Sequence, residues 1–171
     1  MKLLSDWGFS RSGWRQGTRG EYWVVAQGLL MVGFVLLPVY RLQGMIPLSD
    51  AWRYGAWGVA AALAIVALIF FIKGLGDLGQ SLTPLPYPRD DGALVQSGIY
   101  GYVRHPIYAG VIFAALAWTV AFVSLSHLIG TLVFVVFFNA KATREEQWLV
   151  ERYPLYPEYQ QRVKKLIPWI Y

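Results

Sequence analysis

The chain contains no cysteine, so disulfides, thiolate metal sites and cysteine nucleophiles are excluded from the outset. Only two histidines are present, His105 and His127. That is too few for a histidine metal cluster, and no metal is expected. Charge is also scarce: Asp, Glu, Lys and Arg make up 15% of the 171 residues, against about 25% in ordinary soluble domains. No short apolar run ending in a small-residue cleavage site follows Lys2, so the amino terminus does not read as a signal peptide. No internal repeat or low-complexity segment is visible.

What is abundant is apolar. Hydrophobic residues make up 56% of the chain and the mean hydropathy is positive, above the ~45–50% apolar share of soluble domains. These values predict an integral membrane protein. The eight tryptophans and eleven tyrosines are the residue types that favour the membrane–water boundary. The net charge of +5 does not point to nucleic acid, because Lys and Arg flank membrane spans on the cytoplasmic side.

Two uncharged stretches, Tyr22 to Tyr40 and Tyr54 to Ile72, are each just long enough for one crossing at ~1.5 Å per residue. The second is rich in Gly and Ala, which predicts one closely packed face. Residues 73–103 hold Gly74, Gly76, Gly79, Pro84, Pro86 and Pro88 among charged residues and are expected to form a long loop, of the kind that usually carries function. From Ile107 to Ala140 no formal charge appears, and the only polar interruption is Ser124-Leu-Ser126-His127. The run is therefore split into a third helix, Ile107 to Val123, and a fourth starting near Leu128. The fourth is expected to continue through Lys141 to Leu149, where strong helix formers meet no Gly or Pro, and to end near Tyr153-Pro154. The expected fold is all-α: a multi-pass membrane helical bundle of about four transmembrane helices, with interfacial segments at residues 1–21 and 155–171. The whole chain, 1–171, reads as a single domain, with helices one and two in 22–72 and the chemistry in 73–171.

Of the 15 lysines and arginines, thirteen fall before the first span, between the second and third, or after the fourth; Arg41 and Arg53 lie opposite. The positive-inside tendency then places both termini and the long loop in the cytoplasm.

Candidate chemistry clusters on that face. Pro106 suits the first turn of a helix and His105 stands where a cap would stand. The exposed N–H groups and positive dipole end there favour an anion, and Arg104 adds a charge. By themselves these are also what a snorkelling arginine and an interfacial histidine look like. Glu145 and Glu146 taken alone read as a solvated helical surface. Helical spacing separates the two, since Glu145 has Lys141 four residues before it whereas Glu146 has only uncharged neighbours at three and four residues, so Glu146 is expected to face inward. Tyr100, Tyr102, Tyr108, Tyr156 and Tyr159 add aromatic faces that attract cations. Together these groups suit a ligand carrying a carboxylate, an ammonium, a flat base and a cationic centre, as S-adenosyl-L-methionine does.

Leu94-Val95, Ser97-Gly-Ile-Tyr100, Arg104-His-Pro-Ile-Tyr108-Ala-Gly110, Glu145-Glu146 with Leu149, then Tyr153, Tyr156 and Tyr159 before Ile167-Pro168, resemble the isoprenylcysteine carboxyl methyltransferase and phospholipid methyltransferase superfamily. The resemblance covers about residues 78–171. It implies S-adenosyl-L-methionine as cofactor, contacted by Leu94, Val95, Tyr100, His105, Pro106, Ile107, Tyr108, Glu145 and Glu146. It also implies that Lys141, which stands where the prenylcysteine enzymes usually carry arginine, approaches the acceptor. Arg104, His105, Lys141 and Glu146 are then the candidate catalytic residues. The expected partners are membrane lipids and a lipophilic or lipidated acceptor, with a carboxylate, amine, thiol or phenol all open. Membrane sterol reductases show a similar Arg-His-Pro turn and Ile-Pro-x-Ile-Tyr tail, and would use NADPH; a non-catalytic lipid-binding protein is the third reading.

Overall fold

The computed structural model describes residues 11–41 and 49–171; the expected interfacial stretch is therefore described only from Arg11 onward. Six α-helices occur among the described residues: α1 (Arg11–Gln16), α2 (Glu21–Leu36), α3 (Asp50–Leu78), α4 (Pro106–Phe122), α5 (Leu125–Arg152) and α6 (Tyr156–Arg162). No strand is present among them; one isolated parallel bridge joins Val103 to Lys164.

The helix limits follow from local chemistry. α2 stops at Leu36, short of the expected Tyr40, because Pro38 forces the residue before it out of the helical region, and Leu37 is extended at φ −60°, ψ 133°. α3 overruns its expected end at Ile72 by six residues. Lys73 to Leu78 stay helical because Gly74 and Gly76 only weaken a helix, and Gly74 faces a neighbour: a Cβ there would meet Ile107 at 2.8 Å. The expected loop thus begins at Leu82, after a 3₁₀ turn at Gly79–Ser81. The break between the third and fourth helices lies where the polar interruption put it, at Val123, which is left-handed at φ 48°. α5 begins at Leu125 rather than near Leu128, since Ser124 accepts a hydrogen bond from the His127 N–H as its cap.

α3 and α4 pack along their lengths on small residues. A Cβ on Gly110 would stand 3.1 Å from the Ala67 carbonyl oxygen, tighter than an ordinary contact, so a side chain here would have to press α3 away. Phe34, Ala115, Phe134 and Phe138 form the core shared by α2, α4 and α5. α3 and α5 are long and apolar enough to cross a membrane; α2 and α4 are apolar but shorter, at 16 and 17 residues. Outside the bundle, loop 82–95 is pinned to the segment before α2 by Arg19, which pairs with Asp90 at 2.9 Å and lies over the Tyr87 ring.

Candidate active site

The site grows from the start of α4. Backbone N–H groups of Arg104 and His105 donate to the Lys164 and Lys165 carbonyls at 2.8 and 3.1 Å, so the tail after α6 lies alongside the helix mouth. Asp77, at the end of α3, accepts the Ile99 N–H at 2.7 Å and holds the 3₁₀ turn Gly98–Gly101. Gly98 is left-handed at φ 61°, and a Cβ there would collide with the Asp77 carboxylate. This places Tyr100, whose hydroxyl donates to the Gly74 carbonyl at 3.1 Å. Its own carbonyl accepts from the Tyr159 hydroxyl at 2.6 Å.

The two glutamates have different surroundings. Glu146 is 6% exposed and its oxygens are occupied. Oε1 accepts from Arg104 Nε at 2.7 Å and meets His105 Nε2 at 3.0 Å; Oε2 accepts from Gln160 Nε2 at 3.1 Å and lies 3.8 Å from Lys165 Nζ. Arg104 also donates to the carbonyls of Gln160 and Val163. Glu146 is thus the centre of a buried clamp joining α4, α5, α6 and the tail. Arg104, expected to add a positive charge at the helix mouth, has its guanidinium engaged in this clamp. Glu145 instead accepts the Tyr108 hydroxyl on Oε2 at 2.7 Å, with His105 Nδ1 3.8 Å away, and among the described residues its Oε1 has no hydrogen-bond donor.

Glu145 lines a narrow cleft of about 80 Å³, together with Leu94, Val95, Tyr100, Arg104, His105, Leu149, Tyr153, Tyr156 and Tyr159. Burial pushes the Tyr100, Tyr156 and Tyr159 phenols well up, so they present neutral aromatic walls. Of the sequence-derived candidates, Leu94, Val95, Tyr100, Arg104, His105 and Glu145 therefore meet at one cleft. Pro106, Ile107, Tyr108 and Glu146 stand behind it: Ile107 packs on Gly74, and Tyr108 stacks on His105 with ring centres 5.4 Å apart. Lys141 is reached through Tyr108, its Nζ lying 5.1 Å from that ring's centre. Asp77, Gln160 and Gln27 were not singled out as site residues from sequence. No motif marks them, since each acts through a contact 14 or more residues away.

The cleft fits S-adenosyl-L-methionine in kind. A free carboxylate oxygen on Glu145 suits an ammonium, and neutral aromatic faces suit a base and a sulfonium.

Residues 56–155 match the phospholipid methyltransferase family. A protein-S-isoprenylcysteine O-methyltransferase of Schizosaccharomyces pombe is 39% identical over 99 residues, 54% of this chain and 41% of that protein. A Delta(14)-sterol reductase of Mus musculus is 38% identical over 84 residues, 46% of this chain and 20% of that protein. The chain thus spans well under two thirds of the length of these relatives. The fold is similar to the solved structure of a eukaryotic intramembrane Ras methyltransferase, isoprenylcysteine carboxyl methyltransferase, with a TM-score of 0.64 and 22% identity over 88% of this chain and 53% of that one.

Proposed function

The chain belongs to the phospholipid methyltransferase family, and from that premise we propose that it transfers a methyl group from S-adenosyl-L-methionine to a lipophilic, membrane-partitioning acceptor at the cytoplasmic face of the membrane. The observation that carries this reading is Glu145: its carboxylate is held by Tyr108 at 2.7 Å, with the other oxygen free in a tyrosine-walled cleft. When bound, S-adenosyl-L-methionine supplies a methyl group on a cationic sulfur, open to displacement by an acceptor lone pair.

The chain's own residues then have distinct tasks. Glu145 takes the ammonium, Leu94, Val95 and Tyr100 with the tyrosines of α6 flank the base, and the His105–Tyr108 turn forms the floor. Arg104 and Glu146 keep α4 and the tail closed over the cleft, which excludes water. Alignment of two reactants in a dry site supplies several kcal/mol without a covalent intermediate. A carboxylate acceptor needs no base because it is ionised at neutral pH, whereas an amine or thiol would pass its proton to His105 or a glutamate. The cleft of about 80 Å³ is far below the ~300 Å³ at which small-molecule sites begin, so loop 82–95 has to part from α5 when the cofactor enters.

In this reading α2 to α5 make four crossings with both termini cytoplasmic, supported by the thirteen-to-two charge split. Helices of 16 and 17 residues reach only ~24–26 Å at ~1.5 Å per residue, so α2 and α4 cross where the bilayer thins. Cysteine placed at exposed Glu158 should label only from the cytoplasm and at exposed Arg53 only from the other side; both labelling from one side overturns the topology.

The sterol reductase similarity favours a second reading, an NADPH-dependent reduction. Thermal-shift titration decides between them: S-adenosylhomocysteine should raise the melting temperature and NADPH should leave it unchanged, and the reverse result overturns methyl transfer.

A further inference from the structure

At the end of the bundle away from the cleft, Arg41 and Arg53 line one groove between α3 and α4. The chain beside Arg41 is anchored: the Leu125 N–H donates to the Tyr40 carbonyl at 2.8 Å, and the Tyr40 N–H donates to Ser126 Oγ at 3.3 Å. Arg41 Nε then donates to the Phe122 carbonyl at 2.9 Å, at the end of α4. A cation capping a helix end accounts for that bond. It does not account for the two terminal guanidinium nitrogens, which have no partner among the described residues and whose planar fork matches a phosphate. Arg53 faces Asp50 at 3.7 Å, with the two side chains 56% and 85% exposed, a pair that water largely screens. Trp57 stands in the same groove and Trp52 in the adjoining one; tryptophan favours the depth of lipid head groups.

Next to the arginines the surface is apolar. Their groove shares Ala60, Ala121 and Phe122 with a longer one of about 630 Å³, walled by Ala64, Ala67, Gly110 and Ala114. From Ala60 to Phe71 this longer groove follows α3 for ~16 Å at ~1.5 Å per residue, about half of a ~30 Å hydrocarbon core. That is the depth of one leaflet. Beyond Phe71 the seam closes, with Gly74 against Pro106 and Ile107, and the groove and the cleft have no lining residue in common. A second apolar groove, of about 430 Å³, leaves Arg41 towards the start of α5, past Val59 and Leu128.

We propose that this end of the bundle binds one anionic two-chain phospholipid from the leaflet away from the cleft, with its phosphate on Arg41 and Arg53 and its acyl chains in the two grooves. Two cations against one exposed carboxylate favour a lipid of net negative charge over a zwitterion. Two grooves that diverge from Arg41 favour two chains over one. This lipid is not the methyl acceptor, because the seam closes before the cleft, so the proposal stands apart from the methyl-transfer reading.

The test compares phosphatidylglycerol with phosphatidylcholine of the same acyl chains, each titrated into the full chain in nonionic micelles, with bound lipid counted by native mass spectrometry. The native protein should hold phosphatidylglycerol at least about tenfold more tightly, the scale of two basic side chains acting on one anionic head. Arg53→Gln should cut that preference about fivefold at an unchanged melting temperature. Arg41→Gln should cut it at least as much and also lower the melting temperature, because the Phe122 carbonyl loses its donor. Lys164→Gln removes an exposed cation at the cleft end and should leave the preference within about twofold. Ala64→Phe fills the longer groove, touches neither arginine, and should weaken both lipids alike. S-adenosylhomocysteine affinity should stay within about twofold in Arg53→Gln, which separates this site from the cleft. Equal binding of the two lipids by the native protein, a preference that survives Arg53→Gln or falls equally in Lys164→Gln, or full lipid binding by Ala64→Phe overturns the proposal.

Discussion

The protein has two helix starts that each bury a histidine, and they do different things. At the mouth of α4, His105 is 5% exposed and meets Glu146 at 3.0 Å and Glu145 at 3.8 Å, beside Arg104 and a cleft. At the start of α5, His127 is 1% exposed, and its neighbours are hydroxyls and aromatic rings: Ser124 Oγ at 2.7 Å, Phe34 edge-on and Trp118 tilted. Thr119 and Thr131 continue that neutral network at 3.0 Å. Burial and a helix start are common to both. The first histidine differs in standing among ionised groups that converge on a cleft, and this is what separates a site from a turn that merely joins two helices.

The comparison breaks most visibly at Glu146. Truncation to alanine leaves Arg104 buried without its counter-ion, so Glu146→Ala should destabilise the protein by about 3–5 kcal/mol, seen as a large fall in the denaturation midpoint. A change under about 1 kcal/mol would mean that the clamp is as dispensable as a surface pair. Glu145→Gln comes next. It should leave stability nearly unchanged and weaken S-adenosylhomocysteine binding by about 1–3 kcal/mol, the range for a hydrogen bond to a charged group, read by calorimetry. Tyr108→Phe removes only the hydroxyl that orients Glu145 and leaves the carboxylate itself in place. The same titration should therefore show a loss smaller than that of Glu145→Gln. Equal losses would mean that Glu145 is useless unless Tyr108 holds it.

The cluster at α4 was largely legible in the sequence because its members announce themselves locally. Arg104-His105-Pro106 marks a helix start, and Glu145-Glu146 is a pair of adjacent carboxylates where the apolar run of α5 gives way to charge. The spacing argument that turned Glu146 inward agrees with its burial. What spacing cannot carry is partner choice. It left Arg104 facing an anionic ligand, whereas the tail after α6 folds back so that Glu146, Gln160 and Val163 take up its guanidinium. Gln27 was invisible for the same reason: it meets Lys141 across 114 residues, and nothing in its own surroundings marks it. Reading glycine as a breaker ends α3 six residues too early. At Gly74 it serves the close approach of Ile107 instead. The α3–α4 contact thus decides where that helix ends.

The smallest effect is the sharpest test of the comparison, because it asks whether His127 matters to the chemistry at all. His127→Leu deletes the ring's hydrogen bond to Ser124, a loss of about 0.5–1.5 kcal/mol. Against that, His127 Nε2 is buried with no partner among the described residues, and removing a buried unsatisfied group recovers an amount of similar size. Ser124 is not orphaned, since its Oγ still meets Ser126 and still accepts the backbone N–H of residue 127. Leucine also keeps apolar contact with Phe34. The net change in stability should stay within about 1 kcal/mol, with S-adenosylhomocysteine affinity unaltered. His105→Leu, the matching change at the other helix start, removes a hydrogen bond to the buried Glu146 carboxylate and should lower both stability and affinity. Equal responses to the two substitutions, in either direction, would show that the ionised surroundings of His105 confer nothing that the hydroxyl surroundings of His127 lack.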